Sequence, residues 1–306
     1  MALTEAQQIQ VQHFFNQSDF AGSGAVITDL DGTAIHEYKG KYSIPQSVEL
    51  GLQKIHALGR PIVINTLRFP LSVIRTFGKE WYEISNAPIP TVLMNGSQLG
   101  YIVRSETGEL AYDEITASPL LKEEIEETLK IVRGFITDAI TDLLVFFYPR
   151  NWQKGEIIWT PLQEKIPFVQ QKYLSASSVI SGDVDLLAGE LFKEDICMIF
   201  LLIDIPQDKL MAYQHTKRSN FFTHQGIDKN FGAAQIADQL KFQLVHSLGA
   251  GDSEMDTFLS SVGLAVHVSN PYLSFESVLP PVKLKSSTEL GELFFELAAM
   301  QRTQII

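Results

Sequence analysis

Between residues 25 and 65 the chain spells a short apolar run, a helix and a second apolar run, and that order restricts the fold more than any other feature of the sequence. Ala25-Val-Ile-Thr28 reads as a buried strand. From Pro45 to Leu58 the apolar residues Val48, Leu52, Ile55 and Leu58 recur at helical spacing, opened by Pro and closed by Gly59. Pro61-Ile-Val-Ile-Asn65 is a second buried strand. Strand, helix and strand in about 40 residues predict a right-handed crossover between parallel strands.

The same pattern continues at Val92-Leu-Met94, a third strand that ends at Asn95-Gly96. It resumes with a helix over 231–240, a strand over 244–249, a loop over 250–256, a strand over 264–268 and a closing helix over 287–299. From about residue 98 to 219 the texture changes. Strand-like runs at 100–103, 143–148, 157–160 and 196–203 mix with helical patterns at 118–132 and 162–175, which predicts an inserted α+β domain. The expected layout is an α/β core of residues 1–97 and 220–306 interrupted by residues 98–219. Ahead of it, residues 4–17 read as an amphipathic helix outside the core fold, with Thr4 and Gln7 as a capping box and Ile9, Val11, Phe14 and Phe15 as its apolar side.

With 306 residues, 45% of them hydrophobic, one large domain or two medium ones can be packed. The formal net charge is -12, and no run of Lys or Arg offers a track for a phosphate backbone, so nucleic acid is not an expected partner. The single cysteine, Cys197, lies in an apolar run and reads as a buried small hydrophobe, so no disulfide forms within the chain. No signal-peptide pattern opens the sequence, and no apolar stretch approaches the roughly 18 residues of a membrane span. The expected setting is the cytoplasm, away from membranes.

In doubly wound parallel sheets, ligands bind beyond the carboxyl ends of the strands. The polar exceptions of this sequence fall there: Asp29 and Asp31 after the first strand, Thr66 and Arg68 after the second, Asn95 after the third, Asp252 and Asp256 after a later one. Two carboxylates separated by Leu30 point the same way if extended geometry persists. Such a pair is tolerated when a divalent cation screens one member and the other takes a proton, which supplies a nucleophile and an acid/base. Asp252 and Asp256, four apart at a loop entering a helix, share a face and offer hard oxygen ligands suited to Mg²⁺. Either pair alone is also what turns and helix caps use.

Taken in order, these residues resemble the haloacid dehalogenase-like phosphatases. Asp29-Leu-Asp-Gly-Thr33 is similar to the first motif of that family, Thr66 after its strand to the second, Lys229 before a helix to the third, and Gly251-Asp-Ser-Glu-Met-Asp256 to the fourth. The resemblance covers residues 24–97 and 220–300, and it implies a Rossmann-like doubly wound core with an inserted α+β cap that sets substrate choice. It implies that Asp29 attacks phosphorus, that Asp31 protonates the leaving oxygen and then activates water, and that Thr66 and Lys229 hold the phosphate oxygens. Mg²⁺ would be held by the Asp29 carboxylate, the Asp31 carbonyl and Asp252, with Asp256 orienting the site, and Thr33, Arg68, Asn95 and Asn270 would contact substrate. The implied substrate is a small phosphomonoester, chiefly a sugar phosphate. A phosphomutase and a non-catalytic phospholigand binder stay open beside it.

The chain departs from the family pattern at three places. Leu67 stands where relatives carry Gly, Met255 where they often carry Asn, and Asn230-Phe231 separate Lys229 from Gly232. Lys217 and Lys241 are alternatives to Lys229. His267 reads as a strand residue, and Phe146, Phe147, Tyr148 and Trp152 as core of the insertion.

Overall fold

The computed structural model describes residues 3–38, 41–203 and 221–305. They form two compact units: one from the described residues up to Arg68, Val73–Thr116 and the chain from Ile227 onward, the other from Phe69–Ser72 and Ala117–Gly226.

The first unit is built on an eight-stranded sheet, and its winding follows from the strand Val26–Thr28 near the middle. The chain first adds Ile62–Asn65 and Ile89–Leu93 on one side, then returns to add Leu248–Gly251, Leu264–Val268 and Val282–Leu284 on the other. All six pair in parallel. Helices cover a parallel sheet on its faces, so its strands are apolar throughout rather than alternating; Val26–Thr28, Ile62–Asn65 and Leu264–Val268 are buried at every position. Ile27, Val63, Val92 and Ala265 form one core with Ala233, Ile236 and Ala237 of the helix Lys229–Leu240. The helices Gln46–Ala57 and Ser287–Ile305 pack against each other and the sheet.

Two further strands correct the expected boundary at residue 98. Gln98–Arg104 pairs antiparallel with Ile89–Leu93, and Leu110–Ala117 follows it as the last strand of the same sheet. Leu110–Ala117 is mostly partly buried or exposed at the edge of the sheet, whereas Gln98–Arg104 is buried over most of its length and belongs to the core sheet. The second unit begins at Ala117. Ser219, expected near the other crossing, lies outside the described residues.

That second unit holds a five-stranded sheet in the order Ala176–Ser181, Glu156–Thr160, Leu143–Pro149, Ile196–Ile203 and Phe221–Phe222. Leu143, Val145 and Phe147 alternate onto one face, where they meet Leu129 and Val132 of the helix Lys122–Thr137 and Leu187 and Leu191 of Val184–Leu191. Phe146 and Tyr148 take the other face, packed on Tyr173 and Phe69.

Other expectations shift locally. The strand expected over 244–249 is a 3-10 turn, Leu244–His246, followed by the strand Leu248–Gly251. The helix expected over 162–175 is a 3-10 turn at Gln163–Lys165 and a short helix Ile166–Lys172. The N-terminal helix runs Glu5–Gln17 with the expected capping box, and Val11, Phe14 and Phe15 are buried. Ile9, expected on that apolar side, is 62% exposed. Among the described residues no helix is long and apolar enough to cross a membrane.

Candidate active site

The strand Val26–Thr28 is the switch point of the sheet, the place where ligands enter folds of this kind. Asp29 follows directly, its amide donating to the Ala250 carbonyl at 2.9 Å. Extended geometry stops there. The amides of Thr33 and Ile35 both donate to the Leu30 carbonyl, at 3.2 and 2.9 Å, so the chain reverses and the two carboxylates meet different partners. The Asp29 side chain is 8% exposed, that of Asp31 44%.

Lys229 is what Asp29 meets. It opens the helix Lys229–Leu240, whose cap is Asp228 accepting from the Phe231 amide. The Asn65 amide donates to the Lys229 carbonyl at 2.9 Å, and the Asn230 amide donates to the Thr257 hydroxyl at 3.0 Å, which fix this first turn. Three residues on, a side-chain carbon at Gly232 would lie 2.3 Å from Val92 Cγ1, so only glycine lets the helix sit this close to the sheet. The buried Lys229 ammonium then donates to Asp29 Oδ1 at 2.8 Å and to Asp256 Oδ1 at 2.6 Å. Of the alternatives, Lys241 closes the far end of this helix, and Lys217 lies outside the described residues.

Asp252 and Asp256 do not share a helix face as expected. A tight turn follows Leu248–Gly251, and only a 3-10 turn, Thr257–Ser260, comes after it. Asp256 folds back beneath that turn: its Oδ2 accepts from the amides of Asp252 and Ser253, both at 2.9 Å, and from the Ser253 hydroxyl at 3.2 Å. Both of its oxygens are thereby engaged, an arrangement suited to orienting Asp252. Gly32, at φ +75°, lets the Asp252 carboxylate approach where a side-chain carbon would lie 2.3 Å away.

Four residues expected to contact substrate divide between two kinds of work. The Thr33 hydroxyl donates to Asp252 Oδ1 at 3.3 Å, and the Asn270 amide donates to the Asp252 carbonyl at 2.9 Å while its Oδ1 accepts from Tyr272. Those two hold the Asp252 loop. Arg68 forks onto Asp31, Nε to Oδ2 at 2.6 Å and NH2 to Oδ1 at 2.7 Å, and its guanidinium lies 4.9 Å from the ring centres of both Tyr42 and Phe77. Asn95 is buried in a left-handed conformation, and its side-chain carbonyl has no partner among the described residues. Thr66 is 1% exposed, its hydroxyl accepting from the Arg68 amide at 3.2 Å.

Tyr42, Phe77, Asn65 and Thr257 were not singled out from sequence. Asn65 carried a signal, a polar residue inside an otherwise apolar strand; the two rings carried none, because nothing local ties them to Arg68.

One carboxylate oxygen from each of Asp29, Asp252 and Asp256 lies within 4.8 Å of the others. Asp31 is outside this group, its carboxylate turned to Arg68. Three carboxylates against one ammonium leave two negative charges unmatched, and hard oxygen donors with that imbalance fit a divalent cation such as Mg²⁺. The strain of like charge is visible in the acidities. Burial pushes Asp29 up to about 7, Lys229 opposes the rise and Asp256 adds to it. Burial and Asp256 push Asp252 up to about 6. Lys229 is raised despite burial, held charged by Asp29 and Asp256.

Residues 26–272 match the family model of the haloacid dehalogenase-like hydrolases, and the chain belongs to that family. Solved structures with the same fold include a haloalkanoate dehalogenase superfamily phosphatase from Bacteroides thetaiotaomicron, 16% identical, TM-score 0.62, covering 92% of this chain and 96% of that one. A HAD/COF-like hydrolase from Plasmodium vivax is 17% identical at TM-score 0.65, covering 97% and 100%. A subclass IIB sugar phosphatase is 17% identical at TM-score 0.60, covering 93% and 100%. No curated protein matches the sequence.

Proposed function

We propose that this hydrolase is a Mg²⁺-dependent phosphatase that takes phosphate from a small phosphomonoester, a sugar phosphate in particular, onto Asp29 and passes it to water. The observation that carries the reading is the buried Asp29 carboxylate at the switch point, touching the Lys229 ammonium and grouped with Asp252 and Asp256. A buried carboxylate among like charges is poised for a cation and an electrophile, whereas a structural carboxylate would be neutralised by its neighbours.

In this reading Asp29 and Asp252 hold Mg²⁺ with the Asp31 carbonyl, and Asp256 orients them from beneath. When bound, the cation supplies charge neutralisation between the nucleophile and the incoming phosphate. The Asp29 oxygen forms a bond to phosphorus as the ester oxygen leaves, and Asp31 delivers a proton to that oxygen. Arg68 keeps Asp31 in place through its two-pronged contact and the flanking rings. Thr66 and Lys229 offer hydrogen-bond donors to the equatorial oxygens, where charge spreads in the transition state. The deprotonated Asp31 then takes a proton from water, which attacks phosphorus and frees Asp29.

The test is phosphate release from p-nitrophenyl phosphate by the full chain, with Mg²⁺ and with EDTA. Turnover that needs the cation and vanishes in Asp29→Asn is expected. Turnover unaffected by either change would overturn the reading. The cofactor, the reaction and its residues stand or fall together in that assay.

A further inference from the structure

The peptide that joins Lys229 to Asn230 is gripped at both ends. Its carbonyl accepts from the Asn65 side-chain amide at 2.9 Å, and its N–H donates to the Thr257 hydroxyl at 3.0 Å. The two grips come from different segments. Asn65 ends the strand Ile62–Asn65 and directly precedes Thr66, while Thr257 opens the turn Thr257–Ser260 and directly follows Asp256. Each is thus the chain neighbour of a residue at the site, and Asp256 itself accepts from the Lys229 ammonium at 2.6 Å.

Only one of these grips answers a need of the helix. The N–H groups of a first turn lack partners within the helix, so Thr257 serves Asn230 as the Asp228 cap serves Phe231. The carbonyls of that turn are already called on by the helix's own ladder, so the bond from Asn65 is additional. Asn65 is 0% exposed at the end of an otherwise apolar strand, and its side-chain oxygen has no partner among the described residues. A buried amide with one end orphaned costs folding at least what its single bond returns. Stability therefore does not account for an asparagine here, whereas the placement of Lys229 does. Gly232 sets how closely the helix lies on Val92, but it comes three residues later and leaves the orientation of the peptide after Lys229 to other contacts.

We propose that Asn65 and Thr257 are positioning residues for the reaction: holding one peptide plane from two sides, they aim the Lys229 side chain at Asp29 and Asp256 and keep it in register with Thr66. The inference rests on the phosphatase reading, in which Thr66 and Lys229 hold the equatorial phosphate oxygens. The peptide is rigid and planar, so rotating it tilts the bond from the Lys229 backbone to its side chain, and the long stem carries the ammonium off its two carboxylates. Charge spreads onto the equatorial oxygens in the transition state, so the loss falls on kcat more than on KM.

The test assays the full chain with Mg²⁺ and p-nitrophenyl phosphate, circular dichroism confirming the fold of each variant. Thr257→Val and Asn65→Ala should each lower kcat about tenfold with KM within about threefold. Thr257→Ser keeps the hydroxyl and should hold kcat within about threefold of wild type. Because both residues act on one peptide, the double variant should lose far less than the product of the single losses. Asn65→Leu, which keeps the branched outline without either polar end, replaces Asn65→Ala if that variant does not fold. Wild-type kcat in either single variant, Thr257→Ser as slow as Thr257→Val, a loss carried by KM alone, or multiplicative losses would overturn the proposal and leave the phosphatase reading intact. Absence of phosphate release from the wild type would instead defeat that reading. Crystal structures of the wild type and the double variant then decide the grip: a Lys229 ammonium displaced by about 1 Å or more from Asp29 supports it, and an unmoved one overturns it.

Discussion

Removing the charge of Lys229 should destabilise the metal-free protein more at high pH than at low pH. In Lys229→Met a side chain of similar length fills the space, but Asp29 and Asp256 lose their shared cation at 2.8 and 2.6 Å. Breaking a buried charge pair by deleting one partner costs about 3–5 kcal/mol. At roughly 2–4 °C per kcal/mol for domains of this size class, the melting temperature should fall by roughly 10 °C. The sign with pH follows from the acidities. Asp29 sits near 7 in the folded protein against 3.8 ordinarily, so the folded state binds the extra proton and loses stability as pH rises through that interval. Lys229 opposes that rise, so without it Asp29 shifts further upward and the loss deepens. Lys229 itself, raised above the ordinary lysine value, stays charged throughout and contributes fully below that value. Thermal melts in EDTA at about pH 5 and about pH 8 should show the gap between wild type and variant widening at the higher pH, and saturating Mg²⁺ should narrow it. Equal melting temperatures, or a gap that is largest at the lower pH, would refute the argument.

Mg²⁺ affinity measured by calorimetry should tighten as pH rises through about 6 and about 7, where Asp252 and Asp29 lose their protons; a Kd independent of pH across that range would count against these ligands. Gly232→Ala should lower phosphate release at least about tenfold with unchanged circular dichroism, because the added carbon would lie 2.3 Å from Val92 Cγ1 and displace the turn that carries Lys229. Full activity in that variant would show that the helix start can shift freely. Arg68→Lys keeps the charge but loses the fork on Asp31 and the contact with both rings, so kcat/KM should drop roughly tenfold; an unchanged value would mean that Asp31 needs no such support.

Much of this was legible because the core strands are short, buried on both faces and uninterrupted, so that each polar residue after them stood out. Asp29, Thr66 and Asp252 stand out that way and Lys229 through the family resemblance, and the structure brings Asp29, Asp252 and Lys229 together. What failed were inferences that needed backbone direction. The turn at Leu30 separates Asp29 from Asp31, and the 3-10 turn after Asp256 removes the shared helix face; neither is fixed by residue spacing. The boundary at 98 failed for another reason: Gln98–Arg104 turns back antiparallel onto Ile89–Leu93 and Leu110–Ala117 extends the same sheet, a pairing that breaks the parallel pattern of the core strands. Thr33 and Asn270 were located correctly in the loops, but which neighbour each side chain meets is a three-dimensional matter.

The central claim is that Asp29 carries the phosphate. Asp31→Asn should let the first step proceed with p-nitrophenyl phosphate, whose leaving group needs little protonation, while the second step stalls without its base. Rapid quench followed by peptide mass spectrometry is then expected to find an acyl phosphate on the peptide containing Asp29. Phosphate on any other residue, or turnover of the ester with no phosphoenzyme at any time point, would contradict the account.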